Sequence, residues 1–129
     1  MANRGDLHAI MGVKDNLHLI TAKLTGAGGT DNLVIDESGN RGGGEVTAAT
    51  YSATGIYLLT FRHLYPELKS VIGCQVVGTT DGLRGQFSAI DVAAGTATLE
   101  LYVGSTKTVL ATTDTLYINL LVRNSGQNA

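Results

Sequence analysis

From Leu17 to Asn124, apolar side chains recur at every second position in one short run after another. A glycine, an Asp-Gly pair or a proline ends each run, at intervals of about ten residues. A period of two belongs to the pleated strand, where successive side chains point to opposite faces. Eight or so such runs in series predict an all-β domain, a sandwich, a jelly-roll-like fold or a small barrel, with strands too short for anything but compact sheets.

The clearest runs also assign faces. In "LHLITAKLT" Leu17, Leu19 and Thr21 alternate with His18, Ile20 and Ala22, and "DNLVIDE" reads as a second short strand. "VTAATYS" is a third, and Gly55 separates it from "IYLLTFR". There Tyr57, Leu59 and Phe61 oppose Ile56, Leu58 and Thr60, so both faces are largely apolar, as in a strand buried between layers or beneath another subunit. Leu99, Leu101 and Val103 share one face of "TATLELYV", and Gly104-Ser105 turns the chain into "TKTVLAT". Leu116, Ile118, Leu120 and Val122 share one face of "TLYINLLVRN". Pro66, the one proline, holds Tyr65 extended and makes "HLYPEL" a corner, with room for one turn of 3₁₀ helix. Asp81-Gly82 between two apolar runs is a hairpin signal.

Residues 1–16 lack sustained periodicity and read as an extended arm, with Leu7, Ile10 and Met11 as anchors on a neighbour. The sandwich domain then covers 17–125, with 126–129 as a frayed tail. "SGNRGGGE", residues 38–45, is a loop on composition.

Composition narrows the function classes. Charged residues make up 16% of the 129, well under the usual quarter, and the formal net charge is −2. Neither value draws the chain to nucleic acid, and no basic run supplies phosphate contacts. No segment reaches the ~20 apolar residues of a membrane span, and "MANRGDLHAIMG" has no apolar h-region, so a soluble product made in the cytoplasm is expected. Cys74 is the sole cysteine, which forbids an internal disulfide; inside "SVIGCQVV" it reads as a small core residue.

Chemistry-bearing motifs are sparse. "GAGGTD" at 26–31 lacks the Gly-Lys-Ser/Thr and following helix of a phosphate loop and reads as a β-turn. "GNRGGGE" offers one arginine and no stacking aromatic. His8, His18 and His63 have no partner at metal-ligand spacing, and the carboxylates are Asp36-Glu37 and singles at Glu45, Asp81, Asp91, Glu100 and Asp114. No Gly-x-Ser-x-Gly elbow is present, and "RGD" at 4–6 is a tripeptide of low specificity. The residues predict no catalytic, cofactor or metal site, and a non-enzymatic protein. Aromatic Tyr57, Phe61, Tyr65 and Tyr117, with Leu59 and Leu121, supply a core or a subunit interface, two roles the pattern leaves open.

"TGIYLLTFRHLYPELKSVIGCQV" and "DTLYINLLVRNS" resemble strands of tailed-phage capsid decoration (cement) proteins. The matching positions are Gly55, Tyr57, Phe61, Tyr65, Pro66 and Leu68, then Ile118, Asn119, Arg123, Asn124 and Ser125. The resemblance implies a β-sandwich on the outer surface of an icosahedral head, with the major capsid protein and copies of itself as partners, a homotrimer first and a dimer second. A receptor- or glycan-binding domain of a tail or head fibre is the alternative, opposed by the absence of Trp and the 5% aromatic content.

Overall fold

The computed structural model describes residues 17–36 and 45–123. Within them nine strands form two antiparallel sheets, and no helix occurs among the described residues. The strands are β1 (Leu17–Thr25), β2 (Val34–Ile35), β3 (Val46–Ala53), β4 (Ile56–Phe61), β5 (Glu67–Val77), β6 (Leu83–Asp91), β7 (Thr96–Val103), β8 (Thr106–Lys107) and β9 (Thr115–Arg123). One sheet runs β2-β1-β9-β5; the other runs β3-β4-β7-β6, with β8 also paired to β7. Two of the nine, β2 and β8, are only two-residue ladders. "DNLVIDE" contributes only Val34 and Ile35 to pairing.

Alternation places the core where the pattern put it. Ile20, Ala22 and Leu24 of β1, Leu116, Ile118, Leu120 and Val122 of β9, and Leu99 and Leu101 of β7 are buried between the layers. Tyr57, Leu59 and Phe61 face them from β4. These three are therefore core, which resolves one half of the ambiguity. The opposite face of β4 is open, with Leu58 at 40% exposure, so β4 is covered on one side only. Tyr117, also at 40%, and half-buried Leu121 lie on the outer face of β9 and are not core.

Two glycines permit close approach. A Cβ on Gly26 would collide with the backbone carbonyls of Leu110 and Ala111, so β1 can end against that segment only with glycine there. Gly55 turns β3 into β4 at φ 71°, and its carbonyl accepts the Leu101 N–H at 2.8 Å. The 26–31 stretch is the expected turn, closed by Asp31 N–H donating to the Gly28 carbonyl at 3.1 Å.

Two local expectations change. Asp81-Gly82 does not close a hairpin: β5 pairs with β9 and β6 with β7, so this turn carries the chain from one sheet to the other. Its geometry is imposed from elsewhere in the chain, by Asp114. That fully buried carboxylate accepts the N–H groups of Thr79 (2.9 Å), Thr80 (3.1 Å) and Ala111 (3.2 Å), and the Thr80 hydroxyl. Residues 62–66 form a corner as expected, but of bends without a 3₁₀ turn, tied down by Tyr65 N–H on the Val92 carbonyl at 2.9 Å.

The two long sides of the sandwich differ. On the β2/β3 side the core is sealed: Leu33 is buried and its N–H donates to Ala49 at 3.0 Å, while Asn32 Oδ1 accepts from Tyr51 N–H at 2.8 Å. On the β5/β6 side the two edge strands leave a groove between the layers.

Candidate functional site

Both sheets bring chain junctions to one end of the sandwich. Leu17, where residues 1–16 join β1, pairs with Arg123, where 124–129 leave β9. Glu67, the first residue of β5, pairs with the same Arg123 from the other side, and the Arg123 Nε lies 3.4 Å from the Glu67 carboxylate. Glu45, where 37–44 join the fold, sits against His18 at the start of β1. The 62–66 corner and the β6–β7 turn complete this end, through Phe61 N–H on Gly95 (2.8 Å) and Tyr65 N–H on Val92.

A hydrogen-bonded trio holds the junctions together. Glu45 is 6% exposed, and its two carboxylate oxygens are divided between partners. Oε1 is 3.0 Å from His18 Nε2, and Oε2 accepts the buried Tyr65 hydroxyl at 2.8 Å. The His18 ring stacks on Tyr65 at 5.6 Å and 15°, and His63 meets the same ring edge-on at 6.5 Å. The Glu45 carbonyl accepts the Arg62 N–H at 2.8 Å. Burial, then the hydrogen bond to Glu45, raises the Tyr65 phenol above its ordinary value, so it remains a proton donor to the carboxylate. Around this trio, in which Glu45 and Tyr65 are buried and His18 is partly exposed, His63, Leu64 and Pro66 are exposed, Leu64 at 67%.

Chemically the trio is a clamp. It satisfies a buried carboxylate and fixes the first residues of β1 and β3 to the corner, so the segments beyond Leu17 and Glu45 leave from a defined place. Among the described residues no group of three His, Cys, Asp or Glu side chains is arranged to hold a metal ion.

Of the residues singled out in the sequence, Tyr65 is brought to this end, and Tyr57, Leu59 and Phe61 lie in the core behind it. Tyr117 and Leu121 are on the outer face of β9, where the Lys23 ammonium lies 6.0 Å from the Tyr117 ring and 3.2 Å from Asp36. Leu7, Ile10 and Met11 lie outside the described residues. Cys74 is only partly buried and lines the β5/β6 groove; burial lifts its thiol to about 11, which keeps it protonated at neutral pH. Glu45 and His18 were missed as a pair, since 27 residues separate them and neither lies in a motif.

Comparison with protein-family models, with curated proteins and with solved structures returned no match.

Proposed function

We propose that this chain is a structural virion protein, a decoration or cement domain that attaches to the outer surface of an icosahedral phage head. The observation that carries the reading is the gathering of chain junctions at one braced end of a rigid sandwich. Segments 1–16 and 37–44 both join the fold there, beside exposed His63, Leu64 and Pro66. A domain that stabilises a shell needs a stiff body and a contact surface presented in many copies, and it acts by binding the assembled state in preference to free subunits. The resemblance supports the same reading in one further way. The second half of its first stretch and its second stretch, far apart in the chain, pair as β5 and β9, from Glu67↔Arg123 to Val77↔Thr115, while the first half forms β4 of the opposite sheet. Attachment through the junction end leaves the outer face of β9, with Tyr117 and Leu121, for contacts between copies.

The fibre alternative needs an exposed aromatic platform for sugar. Tyr57 and Tyr65 are buried, half-buried Tyr51 packs edge-on against Tyr57, half-buried Tyr102 lies beneath the Arg84 guanidinium, and Tyr117 stands beneath Lys23 on the outer face of the other sheet, so the tyrosines form no shared exposed platform.

The test is a binding titration of purified heads lacking the protein, with the full chain and with a chain lacking residues 1–16. The shortened chain is expected to keep its thermal transition and to bind at least about tenfold more weakly, a loss of ~1.4 kcal/mol. Equal binding by the two chains would overturn the role given to this end.

A further inference from the structure

Asp81-Gly82 carries a reactivity that neither the fold nor the proposed function uses. Among the 17 glycines, Gly82 alone follows an aspartate, and none follows an asparagine. An aspartyl Cγ stands one five-membered ring away from the backbone nitrogen of the next residue. A side chain on that residue obstructs the approach, and glycine has none.

The fold leaves this pair accessible. Both residues are exposed, and a Cβ placed on Gly82 would meet no atom within 4 Å. Among the described residues, neither the Asp81 carboxylate nor the Gly82 N–H has a hydrogen-bonding or ionic partner. Gly82 is the third residue of a turn from Thr80 to Leu83, at φ 72°. The closing bond, from the Leu83 N–H to the Thr80 carbonyl, is long at 3.4 Å. Turn types I and II differ by a rotation of the central peptide plane, ψ of the second residue together with φ of the third. Such a rotation swings the Gly82 nitrogen relative to Asp81 Cγ without moving the flanks. Those flanks are fixed: Thr80 is held on Asp114 by its N–H and hydroxyl, and Leu83 is buried opposite Val103.

Other aspartates of the fold are placed differently. Val92 and Thr115, which follow Asp91 and Asp114, are β-branched. The Asp91 carboxylate accepts the Ala94 N–H at 3.1 Å, and that of Asp114 is taken up by Thr79, Thr80 and Ala111. Asp31 precedes Asn32, whose side chain is tied to the Tyr51 N–H.

We infer that Asp81 is a site of spontaneous modification, where the folded protein converts aspartate to isoaspartate through a succinimide. The Gly82 nitrogen attacks Cγ of the carboxylic-acid form. A C–N bond forms, the C–OH bond breaks, and the amide proton leaves with the hydroxyl as water. Water then adds back to the ring. Opening at Cγ restores aspartate, whereas opening at the α-carbonyl leaves the backbone running through Cγ. No oxidant or reductant takes part, and the mass of the chain is unchanged. The product lengthens the backbone by one methylene and frees an α-carboxylate at the surface. Because Thr80 and Leu83 are anchored, the added length is confined to the crossover between the sheets. This holds for the free protein whatever the chain binds.

The test is to age the full chain at neutral pH and physiological temperature and to place isoaspartate by electron-transfer fragmentation of its peptides. Asp81 is expected to convert at least about fivefold faster than any other aspartate. Asp81→Glu, which would need a six-membered ring, is expected to abolish the signal while keeping the thermal transition of the parent. Asp81→Asn is expected to form the same product with loss of ammonia. A synthetic peptide of residues 78–84, aged alongside, supplies the unfolded reference. Conversion of the peptide but not of the folded chain would mean that the turn holds the nitrogen away from Cγ, and would overturn the inference. Isoaspartate spread evenly over the aspartates would overturn it equally.

Discussion

Replacing Asp114 with alanine is expected to lower the stability of the domain by about 3–5 kcal/mol, more than any other single polar substitution in the described fold. The carboxylate is fully buried and accepts three backbone N–H groups and one hydroxyl. Alanine removes the shared acceptor of four donors on exposed Thr79 and half-buried Thr80 and Ala111 and leaves a cavity at a fully buried position; a donor left unsatisfied costs about 1–3 kcal/mol, less where water reaches it. The damage is concentrated where the chain crosses between sheets. β5 and β6 therefore lose their shared anchor, while the β3–β4 hairpin keeps its own ladder. The Asp114→Asn substitution retains the shape and one acceptor oxygen and is expected to cost roughly half as much. Chemical denaturation with parallel hydrogen exchange on residues 77–83 reads both effects.

The same residue sets an acid limit. Burial by itself would raise the Asp114 pKa, but the hydrogen bonds from Thr80, Ala111 and Thr79 together outweigh it and hold the carboxyl below its ordinary 3.8. A carboxyl depressed in the folded state contributes stability above its unfolded pKa and loses it as pH falls through the folded one. Stability is thus expected to be insensitive to this group at neutral pH and to fall below about pH 4. The Asp114→Asn variant should lack that component of the acid slope.

Glu45→Ala has the second largest expected effect, about 2–3 kcal/mol, because it leaves the buried Tyr65 hydroxyl without an acceptor and His18 without its anchor. The consequence that matters for function is local. With the trio broken, the first residues of β1 and β3 are no longer tied to the 62–66 corner, and their amides are expected to exchange faster while those of β7 and the middle of β9 stay protected. Tyr65→Phe is expected to cost less, about 1 kcal/mol, since the carboxylate keeps His18. Uniform loss of protection across both sheets in Glu45→Ala would contradict a local clamp.

Strands β1, β4, β7 and β9 were legible because each buries a regular every-second set against the opposite sheet. β5 was only half legible. Two bulges shift its inward set to Leu68, Val71, Cys74 and Val76, a spacing that no strict period of two describes. The hairpin reading of Asp81-Gly82 failed for a related reason. The turn chemistry is local and correct, with Gly82 at φ 72°, but the direction of the chain beyond it is set by Asp114, more than thirty residues away. On β9 both faces carry apolar residues, and it is the opposite sheet, covering one face, that puts Leu116 inside and leaves Tyr117 outside. Glu45, His18 and Tyr65 are ordinary residues in unremarkable contexts, and only the fold makes them one cluster.

The proposed role is to coat a shell in many copies. The most direct measurement is its copy number, by quantitative mass spectrometry, in virions produced from the genome that encodes it. A number comparable with that of the major capsid protein is expected. A handful of copies, or none, would contradict it.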